Sequence, residues 1–161
     1  MSVQDRLLRA TRSRIAGRAA YLALKVLGVE FPREVEWAGP IELAHGAVGL
    51  VVHRSTRIGR DVILMPGVVI GRADSWIPPD RVAHLGGRVV IGDDVTVGAG
   101  AKVLYASGQE LVVAEGTIVG ANAVLRESTG PYEIWAGIPA RRVGLRDREG
   151  LHSPEDKRVR R

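Results

Sequence analysis

The sequence contains no cysteine, which excludes disulfides, thiolate metal sites and a cysteine nucleophile. That absence fits a reducing compartment, and the chain is expected to be cytoplasmic. Aromatic residues are also scarce, at 4% with a single phenylalanine, although 45% of the 161 residues are hydrophobic. A core must therefore be built from Val, Ile, Leu and Ala, which suits narrow, repetitive packing. Long apolar runs are missing too. AAYLALKVLGV (19–29) is too short to span a bilayer, is broken by Lys25 and has no small-residue cleavage site, so stable membrane insertion is not expected.

Basic residues are in excess, with a formal charge of +5, but much of the excess lies in RLLRATRSRIAGR (6–18) and KRVRR (157–161). No aromatics are interleaved with either cluster, as a single-strand nucleic-acid surface would need, so no nucleic-acid partner is expected. Residues 1–28 read as one N-terminal amphipathic helix, with Leu8, Ile15, Ala19, Leu22 and Val26 on its apolar stripe. The tail 146–161 is almost free of apolar residues and reads as charged and flexible.

Between these ends, aliphatic residues recur every six positions. Val29, Val35 and Ile41 form one register, and Val52, Ile58, Leu64 and Ile70 a second. Leu85, Ile91, Val97 and Val103 form a third, and Val113, Val119 and Leu125 a fourth. A period of six fits neither a helix nor simple alternation. It fits a coil with three flat faces, each hexapeptide supplying a short strand and a corner, with the aliphatic residue inside. The ruler breaks near 41–52, at 72–84 and at 105–110.

On these repeats the chain resembles the hexapeptide-repeat acyltransferases. The resemblance implies a mainly β chain with a left-handed parallel β-helix over 29–145, a protruding loop at 72–88 and a homotrimer. VEFPREVEWAGPIELAHGAVGLVV (29–52) resembles the active-site segment of the serine acetyltransferase-like branch. That likeness implies His45 as general base and Glu30 as its carboxylate partner, with Glu34, Glu36 and Glu42 as competitors. Imidazole titrates near neutral pH, which suits taking a hydroxyl proton, and a carboxylate would hold its tautomer. His53 falls where that branch tolerates many residue types and is expected to be exposed and dispensable.

GVVIGRAD (67–74), VGAGAKVL (97–104) and AGIPARRVG (136–144) resemble the segments that bind acyl-CoA in that branch. The likeness implies Gly71, Arg72, Ala99, Ala101, Lys102, Ala121, Arg141 and Arg142 as contacts for acetyl-CoA, with Gly120 beside them. His84 and Trp76, in the loop, are implied as acceptor contacts. Serine specificity fits less well, since Ala44 stands where those enzymes place an aspartate and one helix precedes the coils. The acceptor expected is therefore a hydroxyl of a sugar or sugar-like small molecule, with serine as the alternative. A non-catalytic β-helix is a further rival. So is a zinc enzyme of the γ-carbonic-anhydrase type using His45, His53 and His84, although their spacing does not resemble that pattern and no metal is expected.

Overall fold

The computed structural model describes residues 2–147, the side chains at 79 and 83 excepted. Its body is a stack of three-sided coils. The first coil carries β1 (Glu36–Trp37), β2 (Ile41–Leu43) and β3 (Val51–Val52), and the second β4 (Arg57–Ile58), β5 (Val62–Leu64) and β6 (Val69–Arg72). The third carries β7 (Arg88–Ile91), β8 (Thr96–Val97) and β9 (Lys102–Tyr105). The fourth carries β10 (Glu110–Val113), β11 (Ile118–Val119) and β12 (Val124–Leu125). Each face is a parallel sheet: β1-β4-β7-β10, then β2-β5-β8-β11, then β3-β6-β9-β12. On the second face β13 (Glu133–Ala136) adds in parallel, and β14 (Arg141–Leu145) folds back on it antiparallel, closing the stack.

The aliphatic ruler is the core. Every residue of the four registers is buried except Leu85, which is 49% exposed. Leu85 belongs to the excursion between β6 and β7, and the inward position on re-entry falls to Val89. Val51 stacks under Val69, eighteen positions on, the regular length of three hexapeptides. Val69 and Lys102 stack thirty-three apart, so the excursion adds fifteen residues to its coil. It holds a short helix, α3 (Pro79–Val82), and is tied down at its base. There Asp74 pairs with Arg72 at 3.0 Å and accepts the Ser107 N–H at 2.9 Å.

One corner shows why glycine is needed. Gly28, Gly49, Gly67 and Gly100 all have positive φ, and a Cβ on Gly49 would lie 3.4 Å from the Cα of Gly67. That distance is ordinary contact, so the left-handed backbone rather than crowding is what favours glycine here. Asn122, a residue type that tolerates this conformation, ends the column at φ 56°.

The N-terminal segment corrects the sequence reading. It forms two helices, α1 (Val3–Ala10) and α2 (Gly17–Val26), rather than one. The Ser13 hydroxyl accepts the Ala16 N–H at 3.1 Å in the break, and Gly17 packs so tightly that a Cβ would meet the Thr11 carbonyl at 2.5 Å. Refolding the path changes the buried stripe. Leu8, Ala20 and Leu24 face the core, whereas Ile15, Ala19, Leu22 and Val26 are exposed. Leu8 and Leu24 join Phe31 in capping the aliphatic column. No helix among the described residues is long and apolar enough to cross a membrane.

The tail begins more firmly than expected. The Arg146 N–H donates to Tyr132 at 2.6 Å, and its guanidinium pairs with Asp94 at 3.0 Å. Residues 148–161, the rest of the segment read as a flexible tail, lie outside the described residues.

Candidate active site

His45 owes its position to an insertion. Ile41 stacks under Val62, twenty-one positions on, three more than a regular coil. The extra residues lie between β2 and β3 and form the tight turn Ala44–Ala47. Ala44, Gly46 and Ala47 are buried, and His45, at φ 51° and ψ 26°, points outward. A left-handed conformation is uncommon for a histidine, and it falls here in a tight turn whose other three residues are buried.

The outward imidazole borders a depression of about 620 Å³ also lined by Asp5, Arg9, Glu42 and Asp61. His45, Arg9, Glu42 and Asp61 make no side-chain hydrogen bond or ion pair with any other described residue. Asp5 differs. It is buried, and its carboxylate accepts the Leu43 N–H at 2.9 Å and the Ser2 N–H at 2.6 Å. Burial works to raise its pKa, but these amide donors outweigh it and hold the carboxyl below 3.8. The sequence shows the local part of this, since S-x-x-D at 2–5 has capping-box spacing. The bond to Leu43, 38 residues away, and the placement of Arg9 at the depression leave no sequence signal.

Glu30 does not join His45. It bridges to Val51 at the start of the third face, and its carboxylate pairs with Lys25 at 3.5 Å. A separation of fifteen falls six short of this coil's length, so His45 reaches the corner before the position stacked on Glu30. Within one chain the expected pair is not formed.

Glu30 instead lines a groove of about 450 Å³ on the third face, with His53, Gly71 and Arg72. The expectation of an exposed His53 is therefore corrected. Its Nδ1 lies 2.8 Å from the Ser55 hydroxyl and 3.4 Å from the Tyr105 hydroxyl, and accepts the Ser55 N–H at 3.3 Å. Burial, and then the charges of Arg54 and Arg72, hold its pKa below 6.5.

The other implied cofactor contacts lie outside this groove. Ala101 is fully buried in the column, so its methyl cannot form part of an outer wall. Ala99, Gly120 and Ala121 sit at a corner with partial or full exposure. The Lys102 ammonium donates to the carbonyls of Gly67 and Gly100. Arg141 pairs with Glu127 at 2.8 Å and Arg142 with Glu133 at 3.6 Å. His84 and Trp76 are exposed on the excursion. No group of three or more His, Asp or Glu among the described residues is placed to hold a metal ion.

No family model matches the chain. Among curated proteins, the serine acetyltransferase of Helicobacter pylori strain J99 is 35% identical over 129 residues, 80% of this chain and 68% of the relative. The serine acetyltransferase of Mycobacterium tuberculosis is 29% identical over 135 residues, 82% of this chain and 53% of the relative. The chain thus spans about half to two thirds of the length of these relatives. Among solved structures, the soybean serine acetyltransferase apoenzyme superposes with a TM-score of 0.64 at 29% identity, covering 88% of this chain and 53% of that one. The three-sided coil is the left-handed parallel β-helix of those neighbours. With its coils, its corner histidine and these relatives in agreement, the chain belongs to the serine acetyltransferase family of hexapeptide-repeat proteins.

Proposed function

We propose that this chain transfers an acetyl group from acetyl-CoA to the hydroxyl of a small molecule, with serine the foremost acceptor. The observation that carries the reading is the three-residue insertion that sets His45, unpartnered, at the mouth of a charged depression. In the reaction, the His45 imidazole takes the hydroxyl proton while the oxygen attacks the thioester carbonyl. The new C–O bond forms, the C–S bond breaks, and the proton passes to the leaving thiolate to give free CoA. With no cysteine in the chain, transfer is direct, within a ternary complex.

The relatives support serine over the sugar hydroxyl that the sequence favoured. So does the depression, where unpaired Arg9 and the carboxylates of Glu42 and Asp61 suit the two charges of an amino acid. A sugar-like acceptor is the second reading, favoured by the apolar Ala44 immediately before His45. His45 and the groove holding Glu30 and Gly71 lie apart on one chain, so the working site is completed between copies, in a homotrimer. There the groove of one copy presents the acyl donor to His45 of the next. Incubation with acetyl-CoA and either serine or a panel of sugars, followed by thiol release and product mass, tests the reading. Acetylated serine supports it, an acetylated sugar supports the second reading, and CoA release with neither sinks both.

A further inference from the structure

The third-face groove contains an imidazole that the catalytic scheme leaves unused. His53 follows the inward-facing Val52, and one edge of its ring is fully engaged. The Ser55 backbone N–H can only donate, and it points at Nδ1, so Nδ1 is the acceptor and the proton sits on Nε2. The Ser55 and Tyr105 hydroxyls crowd the same nitrogen, and the Tyr105 ring packs edge-on at 5.8 Å. Tyr105 is itself buried, so the clamp is anchored in the core.

We propose that His53 is a fixed hydrogen-bond donor whose Nε2–H binds a carbonyl oxygen of the acyl donor. The inference rests on the acetyl-transfer reading above. The carbonyl is either that of the thioester or an amide carbonyl of the pantetheine arm. The surroundings favour a neutral oxygen on an extended chain over an anion. Val51, Val69 and Leu104 make the groove wall apolar, and Gly71 leaves it open, since a Cβ there would meet nothing within 4 Å. The ionisable groups around the ring are Glu30, Glu34, Arg54, Arg72, Tyr21 and Tyr105. Of these, Glu30 is paired with Lys25 and Arg72 with Asp74. Burial and the two arginines disfavour the imidazolium, which keeps Nδ1 an acceptor and the ring orientation fixed.

The test compares wild type with His53→Ala and His53→Gln, reading CoA affinity by calorimetry and kcat and KM for acetyl-CoA. Loss of one such hydrogen bond should cost about 3- to 10-fold, and glutamine, which keeps an N–H donor, should recover most of it. A weaker Kd for CoA itself, which lacks the thioester, identifies an amide carbonyl. An unchanged Kd with reduced turnover identifies the thioester carbonyl. A measurement on the intact chain stands beside the variants, because the 15N resonance of His53 Nε2 should shift on titration with acetyl-CoA. No shift at saturation, or an alanine variant equal to wild type in Kd and turnover, overturns the proposal while acetyl transfer stands. If wild type binds no CoA, the acetyl-transfer reading falls and this inference falls with it.

Discussion

The Asp5 carboxylate accepts the backbone N–H of Leu43 at 2.9 Å, joining the first helix to the strand that leads into the His45 turn. Both partners are buried, so Asp5→Ala would strand a donor away from water. That should cost about 1–3 kcal/mol of stability. Asp5→Asn, which keeps an acceptor, should cost less. The Asp5 carboxyl titrates below its unfolded value of 3.8. Its contribution is therefore complete above 3.8 and fades as pH falls through the lower folded value. Denaturation from neutral to acidic pH should show that loss in wild type and a flatter profile in Asp5→Asn. Equal slopes would mean the bond contributes nothing.

Thr56 offers the opposite case. Its side chain is 1% exposed, and its hydroxyl has no hydrogen-bond partner among the described residues. The position lies between His53 and the inward Ile58, and its backbone N–H donates to the His53 carbonyl at 3.0 Å. Thr56→Val replaces the stranded hydroxyl with a methyl of similar shape. It should raise stability by about 0.5–2 kcal/mol in chemical denaturation. A loss would show that the hydroxyl is satisfied in solution, by water for example.

What the sequence made legible was whatever repeats. Inward aliphatics such as Ile58, Leu64, Val97 and Val119 sit at fixed intervals because each flat face has one central inward position. Leu85 obeyed the interval by coincidence, since periodicity cannot tell a coil from an excursion of similar composition. The helical break at 11–16 was hidden for a related reason: polar residues on a helix face and in a turn look alike until the Ser13 hydroxyl is seen to accept the Ala16 N–H. The segment singled out His45, but it did not show that Glu30 lies apart from it and pairs with Lys25. Placing Glu30 required the local coil length, twenty-one rather than eighteen, which only the stacked strands reveal. His53 was misread because its environment comes from Tyr105, 52 residues on.

The excursion between β6 and β7 should depend on Asp74. One carboxylate holds both the Ser107 N–H and the Ser107 hydroxyl, at 2.9 and 3.1 Å, besides pairing with Arg72. Asp74→Ala removes all three ties at the base of the loop while leaving the aliphatic column intact. Tryptic cleavage after the exposed Arg81 should accelerate severalfold, with the global melting temperature little changed. Cleavage at the wild-type rate would show that α3 is held by its own packing.

Gly71 separates the groove from the fold. A side chain there would project into open space, and the backbone conformation is not one reserved for glycine. Gly71→Leu should therefore melt within about 2 °C of wild type. If the groove holds the acyl donor, the same substitution should weaken CoA binding by about tenfold or more. Normal CoA affinity in a folded leucine variant would move the cofactor elsewhere.

His45 carries the proposed chemistry, and its backbone makes the test unusually clean. The side chain is exposed and unpaired, and at φ 51° it occupies a conformation that favours glycine. His45→Gly should thus be at least as stable as wild type, by up to about 1 kcal/mol, so lost activity could not be blamed on unfolding. Removing a general base should lower kcat by roughly 10²–10⁴-fold in both the glycine and alanine variants. CoA affinity should hold, because the groove is walled by other residues of the chain. A stable glycine variant with normal turnover would show that the hydroxyl proton leaves by another route, and the corner histidine would lose its role.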